Sequence, residues 1–158
     1  MNWVAPAKIN LFLRVLRKRT DGYHDVFSLM QKITLYDELI FSPLPQGIVL
    51  HCPDADLPTD DHNLVVRAAK AVFSFCRYNG GMEITLIKKI PMTAGLGGGS
   101  SDAATTLMAL NKICSLKLKK NDLIKIGSKI GADVPFFIFG NTALASGIGD
   151  KLKHLRNL

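Results

Sequence analysis

Residues 91–104 have the types and spacing that most clearly indicate chemistry: Pro-Met-Thr-Ala-Gly-Leu-Gly-Gly-Gly-Ser-Ser-Asp-Ala-Ala. Glycine allows positive φ angles and lets another group approach the backbone closely. A helix that begins after such a loop presents free N–H groups and the positive end of its dipole, which favour phosphate. The segment therefore predicts a nucleotide phosphate loop formed by Gly95, Leu96, Gly97, Gly98, Gly99, Ser100 and Ser101.

Two common phosphate-binding patterns do not match this loop. A Walker A loop needs Lys followed by Ser or Thr after its last glycine, and here Ser100 and Ser101 stand there. The dinucleotide pattern G-x-G-x-x-G fails because its sixth position is also Ser100. A flexible turn that binds no ligand remains the structural alternative.

Length and composition indicate one soluble domain. The chain has 158 residues, of which 47% are hydrophobic and 21% charged, as in ordinary globular proteins. It shows no signal-peptide pattern and no apolar stretch of membrane-spanning length, so we expect a cytoplasmic protein with no membrane partner. The three cysteines (Cys52, Cys76 and Cys114) are far apart and have no His at ligand spacing, which predicts reduced, mostly buried thiols and no metal site.

The formal net charge of +7 leaves two interpretations open. A basic face can bind nucleic acid, but helix surfaces are often simply rich in lysine, and no aromatic residues alternate with these lysines. We favour a solvated face, whose positive field would also attract a polyanionic nucleotide. The lysines concerned are Lys112, Lys117, Lys119, Lys120, Lys125 and Lys129.

The hydrophobic pattern predicts an α+β domain with helices packed on a mainly antiparallel sheet. Residues 26–35 are ambiguous between helix and strand. Strands are predicted at 3–17, 39–41, 48–51, 82–90, 136–139 and 143–146. Helices are predicted from Asn63 to a glycine stop at 79–81, from a cap at Ser101 or Asp102 to about Cys114, and from about 122 to 130 with Asn121 as cap.

Three further elements carry reactive side chains. Lys8 and Asn10 are two residues apart on a strand, so both can point from one face. Asp133 lies in Gly-Ala-Asp-Val-Pro, at a predicted helix-to-strand junction, and the pair Tyr23-His24 follows a turn. Taken singly, each has an ordinary explanation as a surface, capping or packing residue.

Taken together, these segments resemble the GHMP kinase superfamily, whose N-terminal domain has the ribosomal protein S5 domain 2-like fold. The 6–13, 21–24 and 61–68 segments resemble one family within it more specifically. That family phosphorylates the 2-hydroxyl of a cytidine-diphosphate-linked methylerythritol in the non-mevalonate (MEP) isoprenoid pathway. The motifs occur in the family's order and cover nearly the whole chain, including the Gly-rich loop and residues 131–135.

The resemblance implies a catalytic pair and an ATP site. Asp133 would accept the proton of the attacking hydroxyl, and Lys8 would keep Asp133 ionised and lower the pKa of the hydroxyl. The Gly-rich loop would hold the ATP phosphates, with Mg²⁺ bridging the β- and γ-oxygens. Asn63 would lie near the nucleotide base. No residue of the chain is assigned as a metal ligand.

The resemblance also implies a small-molecule cytidine-diphosphate substrate and no nucleic-acid partner. Asn10 would position this substrate, Tyr23 would stack on the cytosine ring, and His24 would hydrogen-bond its polar edge. Another GHMP kinase, of the homoserine or mevalonate type, is the alternative that the Tyr23-His24 pair disfavours. An RNA-binding domain is a more distant alternative, which would leave the Gly-rich loop and Asp133 without a role.

Family members are nearly twice as long as this chain. We therefore expect residues 1–150 to form the ATP-binding and catalytic domain, and residues 151–158 to begin a second domain. Because that domain supplies one wall of the family's cleft, residues 1–158 alone are not expected to form a complete active site. The sequence does not indicate an oligomeric state.

Overall fold

A computed structural model describes residues 1–20, 22, 24–140, 142–149 and 151–155. Within these ranges, four helices pack with a mixed sheet of six strands. The strands are β1 (Asn2–Lys18), β2 (His24–Leu44), β3 (Gly47–His51), β4 (Gly81–Ile87), β5 (Thr142–Gly147) and β6 (Lys151–His154). The helices are α1 (Leu64–Cys76), α2 (Gly98–Ile113), α3 (Lys120–Gly127) and α4 (Val134–Phe139).

The sheet is organised around the long strand β2. Its neighbours give the order β3-β4-β2-β5-β6, and β1 pairs with β2 outside this path. Every pairing is antiparallel except that of β3 with β4. The predicted α+β class and mainly antiparallel sheet are confirmed, and the ambiguous segment 26–35 is part of β2.

The core lies between the sheet and the helices. On β4, Met82, Ile84 and Leu86 are buried at alternate positions, as expected for a strand with one face toward the core. The helix α1 contributes an apolar stripe of buried residues: Val65, Val66, Ala68, Ala69, Val72 and Phe73. Among the described residues, no helix combines the length and the apolar character needed to cross a membrane.

The prediction of a strand at 136–139 is wrong, because these residues belong to α4. Pro135 occupies the first turn of that helix, where its fixed φ and missing N–H are compatible with a helix start. A four-residue apolar run cannot by itself distinguish a buried strand from a buried helix. Asp133 therefore lies immediately before a helix rather than at a helix-to-strand junction.

Three predicted helix boundaries are also wrong. The helix α2 begins at Gly98 rather than after Ser101 or Asp102, because Gly97, at φ 72°, turns the chain into it. The helix α3 begins at Lys120, and Asp122 accepts a hydrogen bond from the backbone N–H of Lys119. The left-handed residue that ends α1 is Arg77, at φ 51°, so the glycines at 79–81 come after the helix stop.

The β1–β2 ribbon carries exposed apolar side chains along its outer part. Leu11, Leu13 and Val15 are each at least half exposed, and Phe12 on the opposite face is 41% exposed. The strand β6 pairs with β5 at the edge of the sheet, and a second domain from residue 151 stays a prediction. The three cysteines are half-buried free thiols.

Candidate functional site

The Gly-rich loop leads into α2 without a side-chain cap. Gly97, the residue before the helix, adopts a left-handed conformation and has no side chain that could cap the helix. The first N–H groups of an α-helix have no partner within the helix. Gly98, Gly99 and Ser100 therefore present backbone donors at the positive end of the α2 dipole, which favours an anion there.

Two hydrogen bonds fix this loop against β1. The backbone N–H of Lys8 donates to the Leu96 carbonyl at 2.9 Å. The hydroxyl of Ser101, which is fully buried, donates to the Pro6 carbonyl at 2.6 Å. Ser101 thus ties the first turn of α2 to the strand that carries Lys8.

Lys8 and Asp133, far apart in sequence, meet beside the loop. Their Nζ and Oδ2 atoms are 3.6 Å apart, and the side chains are 6% and 32% exposed. Asp133 makes no side-chain hydrogen bond to cap α4, so its carboxylate is directed to Lys8 rather than to the helix. The structure brings together the two residues that the resemblance implies as a catalytic pair.

Asn10 belongs to the same cluster. Its Oδ1 accepts from Lys8 Nζ at 3.4 Å and from the Ser28 hydroxyl at 3.2 Å. The Ser28 hydroxyl also lies 2.8 Å from the carbonyl of Phe12. Asn10 is therefore held in place within the cluster, with Ser28 as a supporting residue that the sequence did not indicate.

A pocket of about 410 Å³ opens in front of the Gly-rich loop. Asn63 lines it, but both ends of the Asn63 amide are already engaged: Oδ1 accepts from Val65 N at 2.9 Å and Nδ2 donates to Pro58 O at 2.8 Å. Asn63 is the N-cap of α1 in this structure, and its contact with a nucleotide base stays a prediction. The apolar part of the lining includes Leu57, Leu64, Leu86, Ile90 and Met92.

The floor of this pocket contains a charged cluster that the sequence analysis missed. Lys88 Nζ donates to Asp37 Oδ2 at 2.5 Å and to Asp102 Oδ2 at 2.9 Å. Burial acts to lower the pKa of Lys88, but the two carboxylates together raise that pKa above its usual value. These residues are distant in sequence, and charged residues at these positions look like surface residues in a one-dimensional pattern.

The two carboxyl groups of this cluster differ in their hydrogen bonds. Asp37 Oδ1 accepts from the backbone N–H groups of Lys89 and Ile90 at 2.6 and 2.8 Å. Asp102 Oδ1 is buried and has no hydrogen-bond partner. Burial raises the pKa of Asp102 to about 7, against the opposing charge of Lys88.

Two further lysines bind carbonyls of α4, the helix that begins after Asp133. Lys32, which pairs with Lys8 across the β1–β2 ribbon, donates from Nζ to the Phe137 carbonyl at 2.8 Å. Lys120 donates to the carbonyl of Phe139. Cations favour the C-terminal end of a helix, although burial lowers the pKa of Lys32 to about 8. The two lysines satisfy carbonyls at the end of α4.

His24 lies away from the Lys8–Asp133 pair. Tyr23 is outside the described residues. His24 is the first residue of β2, is exposed, and pairs with Lys18. His24 precedes Lys32, the partner of Lys8, by eight residues. At the rise of an extended strand, this separates His24 from Lys32 by at most about 26 Å. The structure does not bring His24 into contact with Lys8 or Asp133, and the pyrimidine contacts stay predictions.

Comparisons with known proteins agree with this architecture. The sequence model described as GHMP kinases N terminal domain matches residues 63–141, which include the Gly-rich loop and Asp133. The chain belongs to the GHMP kinase family. That assignment confirms the superfamily resemblance and the expected N-terminal fold.

Comparison with individual proteins makes the likeness more specific. The chain is 57% identical over 150 residues to a 4-diphosphocytidyl-2-C-methyl-D-erythritol kinase of Syntrophus aciditrophicus, a match that covers 95% of this chain and 54% of that protein. A protein of the same name from Polynucleobacter necessarius is 48% identical, with 96% and 51% covered. The chain spans about half the length of these relatives.

A solved structure has a similar fold. The crystal structure of a 4-(cytidine 5'-diphospho)-2C-methyl-D-erythritol kinase superimposes with a TM-score of 0.85 at 42% identity, covering 98% of this chain and 55% of that one. The resemblance to this family within the GHMP kinases is confirmed.

The two left-handed glycines of the loop provide a matched test of its packing. Gly95 and Gly97 both have φ 72°, but a Cβ on Gly97 would lie 3.0 Å from Phe137 Cζ and 3.2 Å from Lys8 Cγ, whereas one on Gly95 meets nothing within 4 Å. Gly95→Ala should cost about 1–2 kcal/mol of unfolding free energy from backbone strain. Gly97→Ala should cost more, because it also displaces Phe137 and Lys8. Urea denaturation of both variants measures the difference, and equal losses would show that Gly97 does not pack closely.

Proposed function

We propose that the protein containing this chain transfers the γ-phosphoryl group of ATP to the 2-hydroxyl of 4-diphosphocytidyl-2-C-methyl-D-erythritol. The observation that carries the proposal is the Lys8–Asp133 pair beside the Gly-rich loop, 3.6 Å between charged atoms. Phosphoryl transfer to an alcohol needs a base, a cation and donors that hold the phosphates. The 57% identity to a kinase of that name supports the choice of acceptor.

In the proposed reaction, Asp133 acts as the base. Its partly exposed carboxylate accepts the proton of the acceptor hydroxyl while the hydroxyl oxygen forms a bond to the γ-phosphorus. The bond from that phosphorus to the β,γ-bridging oxygen breaks, and ADP leaves with the bond's electron pair. The Lys8 ammonium stabilises negative charge on the attacking oxygen.

The phosphates of ATP would be held by the backbone N–H groups at the start of α2. The described residues contain no group of three or more His, Cys, Asp or Glu side chains that could hold a metal ion. We propose that Mg²⁺ enters as part of the nucleotide substrate, coordinated by phosphate oxygens, which usually supply part of its ligands in kinases. The residues of the chain then position the phosphates and the acceptor.

The acceptor would extend along the β1–β2 ribbon. Asn10, held by Lys8 and Ser28, offers its amide to the hydroxyl-bearing end. Tyr23 and His24 would bind the cytosine at the outer end, and a diphosphate between the two ends gives the substrate its length. We also propose a cytoplasmic location, which suits the free thiols Cys52, Cys76 and Cys114.

The direct test is ATP-dependent phosphorylation of 4-diphosphocytidyl-2-C-methyl-D-erythritol, followed by formation of ADP and of the 2-phosphate product. Mevalonate and homoserine serve as competing acceptors. Phosphorylation of the cytidine compound alone supports the proposal. Preference for either competing acceptor would overturn the proposed substrate while leaving the kinase family intact.

Replacement of the proposed base should separate catalysis from binding. Asp133→Asn keeps the size of the side chain but cannot accept the proton, so we expect kcat to fall by at least ~10²-fold, as for loss of a general base. ATP affinity, measured by calorimetry, should change little, because the phosphate donors are backbone groups. Asp56→Asn, at an exposed loop position, is the matched control. Retained turnover in Asp133→Asn would show that another group takes the proton.

Replacement of His24 should act on the acceptor and not on ATP. We expect His24→Ala to raise KM for the cytidine substrate by about tenfold, corresponding to one lost hydrogen bond, with KM for ATP unchanged. Kinetics with each substrate varied in turn make this comparison. An equal effect on both substrates would contradict the assignment of His24 to the acceptor.

A further inference from the structure

The Lys88 cluster lies directly beneath the loop proposed to bind phosphates. Lys88 and Asp102 both line the pocket in front of that loop. A Cβ on Gly98, the first residue of α2, would be 3.2 Å from Lys88 Nζ. The ammonium group therefore lies next to the backbone at the start of α2.

One ammonium group serves two carboxyl groups in this cluster. The Lys88, Asp37 and Asp102 side chains are 9%, 0% and 3% exposed. If both carboxyls are ionised, the cluster carries a buried net charge of −1 where a polyanionic nucleotide would approach. If one carboxyl is protonated, the cluster is neutral and repels the phosphates less.

The hydrogen bonds indicate which of the two carboxyl groups is more easily neutralised by a proton. Asp37 accepts two backbone N–H groups in addition to Lys88, so both of its carboxylate oxygens have donors. The Asp102 side chain accepts from Lys88 through Oδ2, and its Oδ1 is buried without a hydrogen-bond partner. A lone buried carboxylate oxygen is costly, so Asp102 is the member of the pair that binds a proton.

We propose that Asp102 is a positioning residue of the nucleotide pocket that takes up a proton from solvent when the nucleotide binds, so that its carboxyl group is neutral in the complex. Protonation of Asp102 weakens its electrostatic attraction to Lys88. The Lys88 ammonium is then less compensated and attracts the phosphates beside Gly98. This inference rests on the proposed nucleotide site and adds a linked proton to it.

The groups around Asp102 favour a change in its protonation state within the physiological pH range. Burial raises the pKa of Asp102 to about 7, Asp37 acts in the same direction, and Lys88 opposes both. The Cys52 thiol faces Asp102 from the end of β3, and burial together with the Asp102 charge raises the pKa of that thiol. His62 lies on the rim of the same pocket and pairs with Asp60.

The test is calorimetric titration of the full chain with the magnesium complex of a non-hydrolysable ATP analogue, with magnesium in excess so that the terminal phosphate stays ionised. Titrations at pH 7 in buffers of different ionisation enthalpy count the protons bound. With the free-state pKa of Asp102 near 7, we expect uptake of about half a proton per nucleotide. Affinity should fall as pH rises above 7, by at most about tenfold per pH unit.

Asp102→Asn holds the side chain neutral at nearly the same size. We expect this variant to bind the nucleotide without proton uptake, and more tightly than the wild type at pH 8.5. Asp56→Asn is the matched control and should take up protons like the wild type. The wild-type proton count and pH profile test the inference even if Asp102→Asn does not fold.

The possible results separate this inference from the proposed function. Nucleotide binding with no proton uptake in the wild type, or with unchanged uptake in Asp102→Asn, would overturn the inference alone. No nucleotide binding at any pH would overturn the proposed function and the inference with it. Uptake that disappears only in Asp102→Asn supports both.

Discussion

The close approach of the Gly-rich loop to β1 is the constraint on which the rest of the site depends. The Lys8 N–H bonds to the Leu96 carbonyl, and the absence of a Cβ at Gly97 leaves room for Phe137 and the Lys8 side chain. These contacts place the start of α2 beside the strand that supplies Lys8 and Asn10. The donors for phosphate and the cation of the catalytic pair are thereby held in one rigid unit.

The second side of the site comes from α4. Asp133 precedes this six-residue helix, which is too short to be stable without tertiary contacts. Lys32 and Lys120 bind carbonyls near its C-terminal end, and Phe137 packs against the Gly-rich loop. The position of the proposed base thus depends on the contacts that hold α4, and one of those contacts is with the loop itself.

Charge in the site is distributed over two buried lysines with different partners. Lys8 pairs with a single, partly exposed carboxylate, which leaves that carboxylate accessible to a substrate hydroxyl. Lys88 is enclosed with two buried carboxyls, where solvation is weak and the protonation state depends on nearby charge. Catalysis is proposed for the accessible pair and proton-linked binding for the enclosed cluster.

The sequence predicted the parts of the fold and site that depend on local patterns. The amphipathic α1, the strands β1 and β4 and the Gly-rich loop follow from spacing and turn residues, and the likeness to GHMP kinases linked Lys8 to Asp133. The α4 helix was missed because a short apolar run has no period of its own, and α2 was started late because Ser101 resembles a cap but bonds to Pro6 instead. The Lys88 cluster was missed because only tertiary folding brings Asp37, Lys88 and Asp102 together.

A crystal structure of this protein with a non-hydrolysable ATP analogue and Mg²⁺ tests the central claim most directly. We expect the phosphates to accept hydrogen bonds from the backbone N–H groups of Gly98, Gly99 and Ser100. The γ-phosphorus should face Asp133, with room for an acceptor oxygen between them. A nucleotide bound elsewhere, or one whose γ-phosphate points away from Asp133, would contradict the account.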